Sequence, residues 1–141
     1  MDIDDKTLEG RLDKLLSTIV RVEEPSCYGC GKFVRYSRRQ ASHYVPRIVK
    51  KTRWDRNNVH TCCSGCNVEL DGNLKEYRKT LVKEIGEEEV LKLEEYYDRY
   101  KNGKLKAPTR AEKERLYDEY LKKVRYLERL NYNRRCIPED W

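Results

Sequence analysis

Two Cys-x-x-Cys turns, Cys27-Tyr28-Gly29-Cys30 and Cys63-Ser64-Gly65-Cys66, constrain this chain more than any other feature. Each turn offers two thiolates, and two such turns complete a closed tetrahedral shell for one structural zinc. Four incidental buried cysteines are the plainer alternative, and the repeated spacing counts against it. Gly29 and Gly31 are expected to give the first turn left-handed backbone angles, with Gly65 serving the second in the same way. Cys62 offers a competing register with Cys66. Cys63 is preferred because it copies the spacing of the first pair, which leaves Cys62 to pack as a small hydrophobe. Cys136 stands alone near the C-terminus.

Composition explains why a staple is needed. Charged residues make up 40% of the 141-residue chain and hydrophobic ones 38%, and Tyr supplies 11 of the aromatics. That describes one domain with a small core inside a charged skin, a design that usually relies on a metal or disulfides. No run approaches the roughly 18 apolar residues of a membrane span. The acidic start, Met1-Asp2-Ile3-Asp4-Asp5, lacks the apolar stretch of a secretory signal. A soluble cytoplasmic protein is expected, where thiols stay reduced and six cysteines point to metal before disulfides. A redox protein built on the two Cys-x-x-Cys pairs is a rival, disfavoured by the lack of a βαβ pattern.

The net charge of +6 is unevenly spread. Residues 25–83 carry 13 basic and 4 acidic side chains, whereas residues 1–24 carry 4 and 7. Between residues 32 and 56 Asp55 alone opposes nine basic residues. A concentrated positive field beside a metal staple suits a polyanion. In the C-terminal helices the charges read simply as a solvated face.

Three segments are expected: an N-terminal helix (1–24), a zinc-stapled core (25–86) and a C-terminal helical region (87–141). Leu8, Leu12, Leu15, Leu16, Ile19 and Val20 form a stripe that predicts a helix over 7–22, with Thr7 as its cap and Pro25 just past its end. Residues 27–73 read as short strands and loops around metal. A second helix starts near Asn73 or Leu74, buries Leu74, Tyr77, Leu81, Val82 and Ile85, and stops at Gly86. Asn73 reads as its N-cap rather than as a metal ligand. A third helix spans about 87–101, with acidic residues in its first turn, where the helix dipole favours them. Thr109-Arg110-Ala111-Glu112 is a capping box. It opens a last helix to about Leu130 with Leu116, Tyr120, Val124 and Leu127 on its stripe.

The 32 residues between the knuckles are more than a compact zinc ribbon needs, so chemistry is sought there. They hold Ser42-His43-Tyr44 and Trp54-Asp55-Arg56-Asn57-Asn58-Val59-His60, and Asn67 directly follows the second knuckle. The order His, Asn, Cys-x-x-Cys-Asn is that of an HNH (His-Me finger) motif. The chain resembles the NinG family of phage lambda, and more distantly endonuclease VII. The NinG-like elements are His43-Tyr44, Arg56 to His60 with one inserted or substituted Asn, Cys63 to Asn67, and Gly72-Asn73-Leu74-Lys75-Glu76-Tyr77-Arg78. They cover about residues 25–95.

The resemblance implies an α+β fold with a small ββα-metal core. It implies a metal-dependent DNA endonuclease acting on branched recombination intermediates such as Holliday junctions. His43 is the expected general base, because imidazole with an ordinary pKa of about 6.5 accepts a proton at neutral pH. Asn67 is the expected ligand of a catalytic Mg²⁺ or Mn²⁺. Asn58 is expected to tie the hairpin loop and so orient His43. Endonuclease VII-like enzymes carry a metal-binding Asp before the catalytic His, and Ser42 stands there instead. The second protein ligand is therefore open among His60, Asp55 and Asp71, with His60 ranked first. Trp54 reads as hairpin core before a base-stacking platform. Arg38, Arg39, Arg47, Lys50, Lys51 and Arg53 are expected to contact DNA phosphates without reading sequence. A homodimer is expected, since resolving a junction takes two cuts. The rival reading is a zinc-dependent DNA-binding module without catalysis.

Overall fold

The computed structural model describes residues 2–69 and 72–133; Asp71 and Cys136, named above, lie outside the described residues. The fold is mixed α and β. Helix α1 (Asp5–Glu23) is followed by strand β1 (Gln40–His43), a single helical turn α2 (Lys50–Arg53) and strand β2 (Val59–Cys62). Three longer helices complete it: α3 (Leu74–Ile85), α4 (Glu87–Lys101) and α5 (Arg110–Asn133).

The helices form where apolar stripes and caps coincide. Helix α1 begins two residues before the predicted start, because Asp4 rather than Thr7 caps it: the Asp4 carboxylate accepts from the Thr7 amide at 2.7 Å. Helix α5 begins with the reciprocal cap its sequence predicts. The Thr109 amide donates to Glu112 at 2.8 Å and the Glu112 amide to the Thr109 hydroxyl at 3.2 Å. Its Tyr120, Val124 and Leu127 pack with Leu8, Leu12, Leu16, Ile19 and Val20 of α1. Burying each such aliphatic side chain contributes about 1.5–3 kcal/mol. Gly86, at φ +92°, ends α3 and leads straight into α4. Tyr77, Leu81, Val90 and Leu93 of this helix pair share a second cluster with Cys27, Cys62 and Cys66. Leu74, expected on the buried face, is 45% exposed.

The hairpin lies between these two clusters. Strands β1 and β2 pair antiparallel in the register Gln40–Cys62, Ala41–Thr61, Ser42–His60 and His43–Val59. Directly paired side chains share a face, so Ala41, His43, Val59 and Thr61 look one way and Gln40, Ser42, His60 and Cys62 the other. Ala41 and Val59 pack with α1 and α5. Cys62 packs with α3 and α4, and the Tyr77 hydroxyl of α3 donates to the Ser42 carbonyl at 2.7 Å. Among the described residues no helix is long and apolar enough to cross a membrane.

Candidate functional site

The sulfurs of Cys27, Cys30, Cys63 and Cys66 lie within 4.8 Å of one another, with Cys30 and Cys63 sulfurs 3.9 Å apart. Zn–S bonds of about 2.3 Å in a tetrahedron set sulfurs about 3.8 Å apart, so a small contraction fits these four donors to one zinc. The amides of Gly29 and Cys63 each donate to the Cys27 sulfur at 3.3 Å, and the Cys66 amide donates to Cys63 at 3.4 Å. Burial pushes the Cys27 thiol up, but the amides of Cys30, Cys63 and Gly29 outweigh it and bring it to about 6. Cys62 is fully buried outside this cluster, and burial pushes its thiol up to about 12.

Two expectations about the knuckles need correction. Of their glycines only Gly31 has a positive φ, at +76°. Gly29 serves close approach instead, because a Cβ there would meet the Cys66 sulfur at 2.8 Å. Asn73 takes the N-cap position of α3, but its side chain makes no capping hydrogen bond. It is itself left-handed, at φ 48°, and its carboxamide NH₂ donates to the Cys66 sulfur at 3.6 Å. Such a partner orients a metal ligand from behind.

His43 ends β1, half-buried, and its Nε2 lies 2.9 Å from the Arg53 carbonyl. A carbonyl only accepts, so Nε2 carries the proton and Nδ1 keeps its lone pair in the neutral ring. Nδ1 takes no hydrogen bond from any described residue. Burial depresses the imidazole pKa below its ordinary 6.5 and outweighs the opposing pull of the Arg53 carbonyl and Asp13. A cleft of about 330 Å³ runs along Ala41, Ser42, His43 and Tyr44 to Arg47 and Asn67. Asn67 spends its NH₂ on the Gln40 side-chain oxygen at 2.8 Å, which leaves its own oxygen available. An imidazole held neutral with Nδ1 open can accept a proton from a water, and Asn67 lines the same cleft.

Asn58 is fully buried and does not line the cleft. Its oxygen accepts from the Val45 amide at 2.7 Å, and its NH₂ donates to the Val45 and Thr52 carbonyls, both at 3.0 Å. It thus ties the strand that carries His43 to the turn that receives it.

His60 is not brought to His43. It is 3% exposed on the opposite sheet face and stacks on Tyr28 with ring centroids 4.1 Å apart. Its Nδ1 lies 2.7 Å from a Glu24 oxygen and its Nε2 2.8 Å from the Asn57 carbonyl. Both nitrogens are spent within the fold, so the expected ligand role is replaced by a structural one. Asp55 is likewise engaged, accepting from the Asn57 amide at 2.9 Å.

The predicted phosphate-binding residues divide. Arg39 is 6% exposed, and its guanidinium donates to the Val34 and Arg21 carbonyls at 2.8 and 2.6 Å, so it serves the core rather than the surface. Arg38 and Lys51 are exposed. Lys50 pairs with Glu9 at 3.1 Å, while Arg47 and Arg53 both pair with Asp13 at 2.6 Å. Asp13 also accepts from the Trp54 indole at 2.8 Å. Trp54 itself is buried core. The sequence reading missed Asp13, which lies between stripe positions on α1 and has no local sign of its partners.

The fold and the sulfur cluster define a small α+β protein built around a four-thiolate site compatible with structural zinc. A family model described as Bacteriophage Lambda NinG protein matches residues 4–131. The chain belongs to the NinG family. It is 33% identical over 76 residues to "Protein ninG" of Escherichia phage 933W, covering 53% of this chain and 37% of that protein. It is 32% identical over 76 residues to "Protein ninG" of Escherichia phage lambda, with the same coverage. The match to that of Enterobacteria phage H19B is 36% over 62 residues, covering 43% and 31%. The matched part thus spans only about a third of the length of these relatives. No solved structure matches.

Proposed function

We propose that this protein is a metal-dependent DNA endonuclease of the HNH type that cuts branched recombination intermediates. The observation that carries this reading is the pinned, neutral His43, which lines the same cleft as Asn67. The two strands followed by the helical turn Gly65–Glu69 match the order of a ββα-metal core. His43 Nδ1 takes the proton of the attacking water, and the Arg53 carbonyl keeps the ring aimed and supports the imidazolium that forms. Arg47, lining the cleft and 61% exposed, neutralises the phosphate. Asn58 holds the geometry and touches no substrate.

A bound Mg²⁺ or Mn²⁺ would supply Lewis-acid polarisation of the phosphate. Asn67 offers it a hard oxygen. One neutral carboxamide suits an ion that keeps most of its waters and gains phosphate oxygens from DNA, as Mg²⁺ does. The test is cleavage of linear, forked and four-way DNA with each metal and with chelator. Metal-dependent cutting, fastest on the branched substrates, is expected.

A second reading, a zinc-stapled DNA-binding module without catalysis, has one specific support. Ser42 stands where related nucleases carry a metal-binding Asp, and it is 3% exposed. Tight, salt-sensitive DNA binding with no cleavage under any metal would establish it.

A further inference from the structure

Asp13 of α1 stands 40 residues before Arg53 in the chain. Its carboxylate nevertheless meets both side chains that flank one particular peptide group. Oδ1 accepts from Arg53 Nε at 3.0 Å and from the Trp54 indole at 2.8 Å, and Oδ2 accepts from Arg53 Nη2 at 2.6 Å. The peptide group between Arg53 and Trp54 carries the carbonyl that accepts from His43 Nε2. Its two neighbouring carbonyls are held as well, Thr52 by Asn58 and Trp54 by the Tyr120 hydroxyl of α5. Partial burial works against ionisation of Asp13, yet its hydrogen bonds from Arg53, Arg47 and Trp54 hold the carboxyl below its ordinary range. It is therefore a carboxylate at neutral pH, and its grip on Arg53 is a bidentate fork, the strongest and most directional form of such a contact.

We propose that Asp13 is the positioning residue of the site: by clamping Arg53 and Trp54 from the N-terminal helix, it fixes the carbonyl that aims His43 and selects its tautomer. The proposal rests on the reading of His43 as the base, but its geometry is testable without DNA. Remove Asp13, and the Arg53–Trp54 peptide group loses the side-chain anchors on both sides and keeps only the backbone ones, Asn58 on Thr52 and Tyr120 on Trp54. The carbonyl then no longer holds Nε2–H in one direction, and the ring samples both tautomers.

The experiment uses the full, zinc-loaded chain labelled with ¹⁵N at histidine. The chain has two histidines, so the His43 signals are assigned by their loss in His43→Gln. Long-range ¹H–¹⁵N correlation above the His43 pKa should show a single Nε2-protonated form in the wild type. In Asp13→Ala the two ring nitrogens should move toward an averaged shift. Glu9→Gln is the control, because Glu9 sits one turn earlier on α1 and pairs with Lys50 and Lys113 instead; it should keep the wild-type pattern. If Asp13→Ala does not fold, Asp13→Asn retains one accepting oxygen and should give a partial shift of the same sign. A folded Asp13→Ala or Asp13→Asn protein with the wild-type His43 pattern overturns the proposal, as does a wild type lacking the single tautomer. Cleavage assays add a second readout. Asp13→Ala should lose on the order of 10²-fold in rate, the scale of a misplaced catalytic group, with no loss of DNA affinity. A wild type with the locked tautomer and no cleavage would refute the nuclease reading while leaving the positioning role intact.

Discussion

His60 is the cross-strand partner of Ser42, the residue just before His43, so the chain's two histidines look to opposite faces of one hairpin. His43 faces α1 and the cleft. His60 is sealed between Glu24, Tyr28 and the Asn57 carbonyl. Their substitutions should therefore separate function from stability.

His60→Ala should destabilise the protein by about 2–3 kcal/mol, the scale for leaving a buried charged group one partner short. Arg56, 2.8 Å from Glu24, keeps the loss from being larger. Denaturant midpoints measure this. Unchanged stability, combined with complete loss of metal-dependent cleavage, would instead restore His60 to the site.

Zinc content should follow the sulfur geometry. Cys30→Ser should release zinc and unfold the central region, because binding the ion is itself folding energy. Cys62→Ser should keep one zinc per chain. Gly29→Ala should weaken zinc retention, since its methyl would press on Cys66 at 2.8 Å. Metal analysis after dialysis against a mild chelator reads all three, and zinc loss from Cys62→Ser with retention in Cys63→Ser would reverse the register.

The helices and the four-cysteine cluster were legible in the sequence because their causes are local. Leu8 to Val20 form a stripe at helical spacing, Thr109 and Glu112 cap one turn, and each knuckle is four residues long. The failures that bear on the site depend on pairing between distant segments. The face taken by His60 is set by strand register, where a slip of one residue exchanges the faces. Arg39 reads as a surface cation, yet it crosses to the Arg21 carbonyl of α1. Asp13 meets Arg47, Arg53 and Trp54 only once α1 lies against the hairpin.

DNA affinity should follow exposure rather than the count of cations. Reversing charge at Arg38 and Lys51 should weaken binding on every sequence and flatten the salt dependence, as expected for phosphate contacts. Arg39→Ala should lower the melting temperature, because two buried carbonyls lose their donor. Titrations at two salt concentrations test this, and an affinity indifferent to Arg38 and Lys51 would contradict it.

Acid should destabilise the fold through Asp13 of α1 and Glu24 just past its end. Burial opposes ionisation of both Asp13 and Glu24, but their hydrogen bonds and ion pairs hold both below their ordinary values of 3.8 and 4.5. A depressed folded pKa contributes stability above the unfolded value and loses it as pH falls through the folded one. His43, also depressed, adds a loss as pH drops below 6.5, where the unfolded chain takes up a proton that the folded chain resists. Stability should therefore hold through neutral pH, decline below 6.5 and fall further below about 4.5. Denaturation midpoints across pH check the sign, and a stability that rises on acidification would contradict it.

The most direct test is cleavage of four-way DNA by wild type and His43→Ala, each zinc-loaded and saturating the substrate, with Mg²⁺ or Mn²⁺. Loss of a general base costs about 10²–10⁴-fold. The variant should bind DNA as the wild type does, cut slower by that factor, and gain nothing from more metal, whereas Asn67→Ala should recover in part as metal is raised. A folded His43→Ala protein that cuts at the wild-type rate would contradict the assignment.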